Sequence, residues 1–142
     1  MGTHDNLDNL VRSGGLKNEP PDQRECKGLI MSASDRLHDA KQPTLSFASR
    51  FDLAYNAAHA LALAALRRQG YRSDRRYLVF QCLPHTASVD KTQVRLFALC
   101  HERRNLAEYE GYMDVDETLL AELLAATDAL LPLVQDAMIV ST

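Results

Sequence analysis

Apolar residues along this chain recur at three- and four-residue steps, the period of an amphipathic helix. The clearest case is residues 45–69. Phe47, Phe51, Ala54, Ala58, Leu61 and Ala65 form one stripe, and Ala48, Tyr55, Ala62 and Leu66 form a second. A helix apolar around so much of its circumference is expected at the centre of a bundle, where its many alanines let neighbours approach closely. Thr44 or Ser46 can cap its start, and Gly70 stands where a helix should stop.

The other segments fit around it. Residues 4–13 predict a short helix with Leu7, Leu10 and Val11 on one side, broken by Ser13-Gly14-Gly15. Residues 21–40 predict a second helix, with Pro21 at its start and Leu29, Ile30, Ala33, Leu37 and Ala40 as its apolar stripe. Ser73-Asp74 can cap a shorter helix that ends at Pro84, with Leu78, Val79, Cys82 and Leu83 buried, and a loop follows through Ser88. A long helix over residues 90–110 ends at Gly111. The last, over residues 116–138, is capped by Asp114 or Asp116, and Pro132 should kink it or end its regular part. Its core face is Leu119, Leu120, Leu123, Leu124, Leu130, Leu131 and Val134. No strand pattern, repeat or low-complexity segment stands out. The expectation is an all-α, antiparallel up-and-down bundle of four to five main helices. Residues 1–20 form an N-terminal extension, and residues 21–140 form the bundle.

With 142 residues, the chain is the size of one domain that buries enough surface to fold without staples. Its net charge of −3 gives no general attraction to nucleic acid or anionic membranes, so any such role needs a local basic patch. Cys26, Cys82 and Cys100 are odd in number, far apart and without metal-ligand spacing, so they read as reduced, buried thiols of a cytoplasmic protein. The start, Met1 to Asp8, is polar, and the most apolar run, residues 57–66, is too short to span a bilayer. No Gly-rich phosphate loop or other cofactor fingerprint is present, so no cofactor is expected.

The densest chemistry lies in residues 103–111: Arg103, Arg104, Asn105, Glu108, Tyr109 and Glu110, interrupted by Leu106. Arg103, Arg104 and Asn105 suit phosphate recognition, with Glu108 and Tyr109 completing a ligand site. The structural alternative is that Arg104 pairs with Glu108 one turn on and ties down the helix end, while Tyr109 packs with its hydroxyl bonded to a neighbour. His101 lies one turn before Arg104 and Asn105, on the same face. His59, inside the apolar helix, reads as a core histidine bonded to a backbone or carboxylate partner. Arg67, Arg68, Arg72, Arg75 and Arg76 form the one basic patch. It is either a surface for RNA or an acidic partner, or a helix corner neutralised in part by Asp74 and nearby acids.

The run Ala54-Tyr55-Asn56-Ala57-Ala58-His59-Ala60-Leu61-Ala62-Leu63-Ala64-Ala65-Leu66 resembles the central helix of HEPN domains. Residues 29–40 resemble the family's first long helix, and Arg104-Asn105 resembles the start of its Arg…His signature. The likeness covers roughly residues 21–140. It implies a helical bundle that dimerises through the Arg face and binds a nucleotide, RNA or a partner protein. A bacterial toxin–antitoxin or nucleotidyltransferase-associated system is the setting it implies. Active members cleave RNA without metal, using the Arg and a His four to six positions later. Here those positions hold Tyr109, Glu110 and Gly111. Tyr is a poor base near neutral pH, so the resemblance implies a non-catalytic member. The alternatives are a ribonuclease using Arg104 with Tyr109 or His101, and a purely structural interaction module.

Overall fold

The computed structural model describes residues 3–140. Met1, Gly2, Ser141 and Thr142 lie outside the described residues, so the first positions of the polar start are not placed. Seven helices are described: α1 (Thr3–Arg12), α2 (Gln23–Ala40), α3 (Phe47–Arg68), α4 (Arg76–Gln81), α5 (Leu83–Thr86), α6 (Lys91–Glu110) and α7 (Glu117–Val140). The fold is an all-α bundle, as the periodicity implies.

Helix α3 is its axis. Ser46 caps it by accepting from the Ser49 amide, and Phe51, Ala54, Ala58, Leu61, Ala62, Ala65 and Leu66 are sealed from solvent. Helix α2 lies along it most extensively, and α7, α4, α6 and α5 cover its other sides. Eight alanines among its 22 residues permit close packing on several sides at once. From α7, Leu120, Leu123, Leu130 and Val134 complete the core. Replacing any one of these leucines by Ala should cost about 2–5 kcal/mol.

Capping follows the sequence closely. Asp22 accepts from the Arg24 and Glu25 amides at the start of α2, Asp90 caps α6, and Asp116 rather than Asp114 accepts from the Leu119 amide. Pro21 therefore precedes the cap of α2 instead of opening its first turn. Gly111, at φ +85°, takes the left-handed conformation that ends α6.

Three expectations are corrected. The helix expected between Ser73 and Pro84 is two short helices meeting at Cys82. Ser73 Oγ accepts from the Arg75 amide, and Pro84 opens a new turn, where its missing N–H costs nothing. Helix α7 runs on through Pro132 to Val140, close to the expected end at residue 138. A two-stranded antiparallel ribbon joins β1 (Lys17–Asn18) to β2 (Tyr71–Arg72), with Asn18 opposite Tyr71. Strands of two residues are too short to show a period. Finally, Leu106 and Tyr109 are not buried: Tyr109 is 91% exposed, and its hydroxyl packs against nothing.

Residues 1–20 contribute Leu7 and Leu16 to the same buried cluster, and the Tyr71 hydroxyl donates to Asp8 at 2.6 Å. All three thiols are free and buried, and burial pushes Cys82 up to about 11 and Cys100 up to about 12. No helix among the described residues is long and apolar enough to cross a membrane.

Candidate functional site

Helix α3 carries one polar stripe on its otherwise apolar surface: Asp52, Tyr55, Asn56 and His59, spaced so that all four share a face. Opposite it, α6 presents His101, Arg104, Asn105 and Glu108 at the same helical spacing. Helix α4 adds Arg76 and Tyr77 at its first turn. Three helices thus bring ten chemistry-bearing side chains to one edge of the bundle.

Tyr55 is the centre. Its ring is fully buried, and its hydroxyl lies 2.8 Å from His101 Nδ1. Asn105 Nδ2 lies 3.0 Å from His101 Nε2. With the amide donating there, the imidazole carries its proton on Nδ1 and gives it to the Tyr55 oxygen. Burial, then the positive charges of Arg104 and Arg76, lower the pKa of His101, so the ring is neutral near pH 7. Burial raises the pKa of Tyr55.

Two guanidiniums meet the same ring. Arg104 Cζ is 5.0 Å from the Tyr55 centroid and Arg76 Cζ is 5.6 Å, both in cation–π range. Arg104 Nε donates to Asp52 Oδ1 at 3.2 Å, and its Nη2 lies 3.1 Å from Glu108. Both carboxylates are more than half exposed, so these pairs are weak and open to exchange. Arg76 Nη1 donates to Asn56 Oδ1 at 2.9 Å, and Arg76 has no ion-pair partner among the described residues. Its positive charge is therefore uncompensated at close range.

His59 lies beneath the cluster, edge-on to Phe80 with centroids 5.9 Å apart. Its Nε2 is buried without a hydrogen-bond partner, which corrects the expectation of a satisfied core histidine. Burial first, then Arg76, His101 and Arg104, lower its pKa to about 4. Tyr77 covers the outer side. Its ring lies 6.0 Å from that of His101 and remains 48% exposed. Beside Arg104 a shallow cavity of about 220 Å³ opens between α3 and α6, bordered by Ala48, Asp52, Glu108 and Met113.

The residues singled out in the sequence separate into groups. Arg104, Asn105, Glu108 and His101 come together here. Arg103 does not: it points toward Asp116, at 3.7 Å, and lines a different cavity near Phe47 and Met113. Tyr109 stands in solvent and is not packed against the bundle.

The basic patch divides as well. Arg76 joins the site. Arg67 is sealed, with Nε donating to Glu25 at 2.7 Å, Nη1 to the Glu19 and Tyr71 carbonyls, and Nη2 to the Pro20 carbonyl. Arg72 pairs with Glu19 and Glu25. The neutralising acids are thus Glu19 and Glu25, not Asp74. Arg75 is exposed, and Arg68 faces a separate groove.

Asp52, Tyr55, Asn56 and Tyr77 were not legible as site residues from the sequence. The available signal was the polar stripe itself, four hydrogen-bonding side chains at helical spacing in a helix that otherwise reads as core. Among the described residues, no three His, Cys, Asp or Glu side chains gather as a metal site. Comparisons with protein families, with curated proteins and with solved structures gave no match to this chain.

Proposed function

We propose that this chain is a HEPN-like bundle that binds a nucleotide or single-stranded RNA at the Tyr55–His101 cluster and does not cleave it. One observation carries the reading: two guanidiniums converge on the buried ring of Tyr55, which is bonded to the half-buried His101, beside the exposed ring of Tyr77. Guanidiniums recognise phosphate through paired N–H donors, and an exposed aromatic face stacks on any base. Arg76 offers its charge to an incoming phosphate without first leaving a carboxylate. Arg104 exchanges two solvent-facing carboxylates for the phosphate at small cost.

A non-catalytic role is favoured by the occupation of both His101 nitrogens, by Tyr55 and Asn105. The rival reading is metal-independent cleavage with Arg104. The neutral state of His101 favours it, since a neutral imidazole near pH 7 accepts a proton from a ribose hydroxyl once Asn105 moves aside. The resemblance also supports a cytoplasmic homodimer meeting through the Arg104 face, and a toxin–antitoxin or nucleotidyltransferase-type partner in a bacterial setting. Separately, Leu106 and Tyr109 on α6 and Tyr112 just beyond it are exposed, and fit a surface that another chain covers.

The test is titration of a fluorescent ribo-oligonucleotide with the wild-type chain, Arg76→Ala and Arg104→Ala, at two salt concentrations and in the presence of a chelator. Salt-sensitive binding weakened by both substitutions, with the oligonucleotide left intact, is expected. Cleavage that disappears in Arg104→Ala would replace the binding reading with the enzymatic one. Binding unchanged in both variants would overturn both.

A further inference from the structure

A groove of about 500 Å³ runs between the N-terminal half of α2 and the C-terminal part of α7, with the end of α3 as its floor. It shares no residue with the Tyr55–His101 cluster. Its volume is that of a small-molecule site. Cys26, Ile30 and Met31 from α2 and Met138 from α7 give it apolar walls, and its cations are Arg68 and Lys27.

Arg68 is the unusual member. Its Nε is buried without a hydrogen-bond partner, and Arg68 makes no ion pair among the described residues. Its neighbour Arg67 shows what this helix end does with a guanidinium that serves the fold: every side of it is donated to a carboxylate or carbonyl. Glu19 and Glu25 are both committed to Arg67 and Arg72. Asp22, the one acid on the groove wall, spends Oδ1 on capping α2. Arg68 is half-buried, and its one desolvated N–H, at Nε, is left without an acceptor; a bound anion beside it removes that cost. We infer that this groove binds a single-chain amphiphilic carboxylate, its head on Arg68 with Lys27 beside it and its apolar chain along Ile30, Met31 and Met138. One forked guanidinium matches one carboxylate in charge and geometry.

The experiment is calorimetric titration of the full chain with dodecanoate, dodecanol and dodecyltrimethylammonium below their aggregation concentrations, with light scattering on the same samples. Dodecanoate should bind at one site per chain, roughly tenfold or more tighter than dodecanol, because the charge-assisted bond is lost in the alcohol. Arg68→Gln should erase that preference while leaving dodecanol binding unchanged. Met31→Asp, at a position already 59% exposed and so harmless to the fold, should weaken dodecanoate and favour the cationic amphiphile. Equal binding of all three probes would overturn the inference, as would uptake at many sites. Association of chains with no dodecanoate bound would mark the groove as a self-docking face instead, and would equally end it.

Discussion

Two arginine clusters lie against α3, one at its C-terminal end and one along its middle, and they are built to opposite specifications. Around Arg67 everything is closed. The guanidinium is 1% exposed, its N–H groups are donated to Glu25 and to three carbonyls, and its partners hold the loop at residues 19–21 and the β-ribbon against the helices. Around Tyr55 the guanidiniums lie over an aromatic ring, their acidic partners are solvated, one of them has only a neutral amide, and a buried imidazole nitrogen is left without a partner. A saturated cluster of this kind serves the fold. An unsaturated one keeps donors and charge available, which is what a ligand requires.

The largest expected effect separates the two. Arg67→Ala leaves Glu25 with Arg72 alone, takes the donor from the Glu19, Pro20 and Tyr71 carbonyls, and should cost about 3–5 kcal/mol in denaturant unfolding. That is a large share of the roughly 5–15 kcal/mol that holds a domain together. A loss below about 1 kcal/mol would remove Arg67 from its role as the tie between ribbon and bundle.

Acid separates the clusters next, because the two titrate in different windows. His59 is neutral when folded, with its pKa lowered from 6.5 to about 4. Its contribution is complete above the unfolded value and declines as pH falls toward 4, by about 2 kcal/mol at pH 5. Glu25 is held below its usual 4.5, first by its hydrogen bond from Arg67 and then by that from Arg72. Its contribution is present above that value and is lost only as pH falls below it. Stability measured against pH should therefore show an upper step that His59→Leu removes and a lower one that Glu25→Gln removes. A single merged step, insensitive to His59→Leu, would contradict the partnerless imidazole.

Smaller effects sharpen the contrast. Tyr77→Ala should leave folding almost untouched, since the ring is half in solvent, yet weaken oligonucleotide binding by about tenfold through lost stacking. Tyr55→Phe removes the bond to His101 and should cost about 1 kcal/mol of stability. Arg104→Gln should also change stability little, by less than about 1 kcal/mol, because its partners Asp52 and Glu108 are exposed. A loss as large as that of Arg67→Ala would show that the two clusters do the same work.

How far the sequence anticipates this depends on the range over which each feature is specified. The caps at Ser46 and Asp116, the stop at Gly111 and the apolar stripes of α3 and α7 are local. They follow from residues within one or two turns, and they were legible. On α6, the spacing of His101, Arg104 and Asn105 rightly put them on one face. Arg103 and Tyr109, adjacent in sequence, point elsewhere because neighbours on a helix are turned by about 100°. Tyr55 read as core by its spacing, and it is core. What its periodicity does not carry is that a histidine 46 residues later meets its hydroxyl.

The sequence by itself determined the long helices and which of them occupies the centre, because propensity, capping and hydrophobic period act over a few residues. Only the tertiary structure decided which arginine became a tie and which a site. That outcome turns on whether Glu19, Glu25, Asp52 or Asn56 arrives within hydrogen-bond reach, and on how much water is left when it does. Partner distance and desolvation set the worth of a charge, and both arise only when distant helices pack.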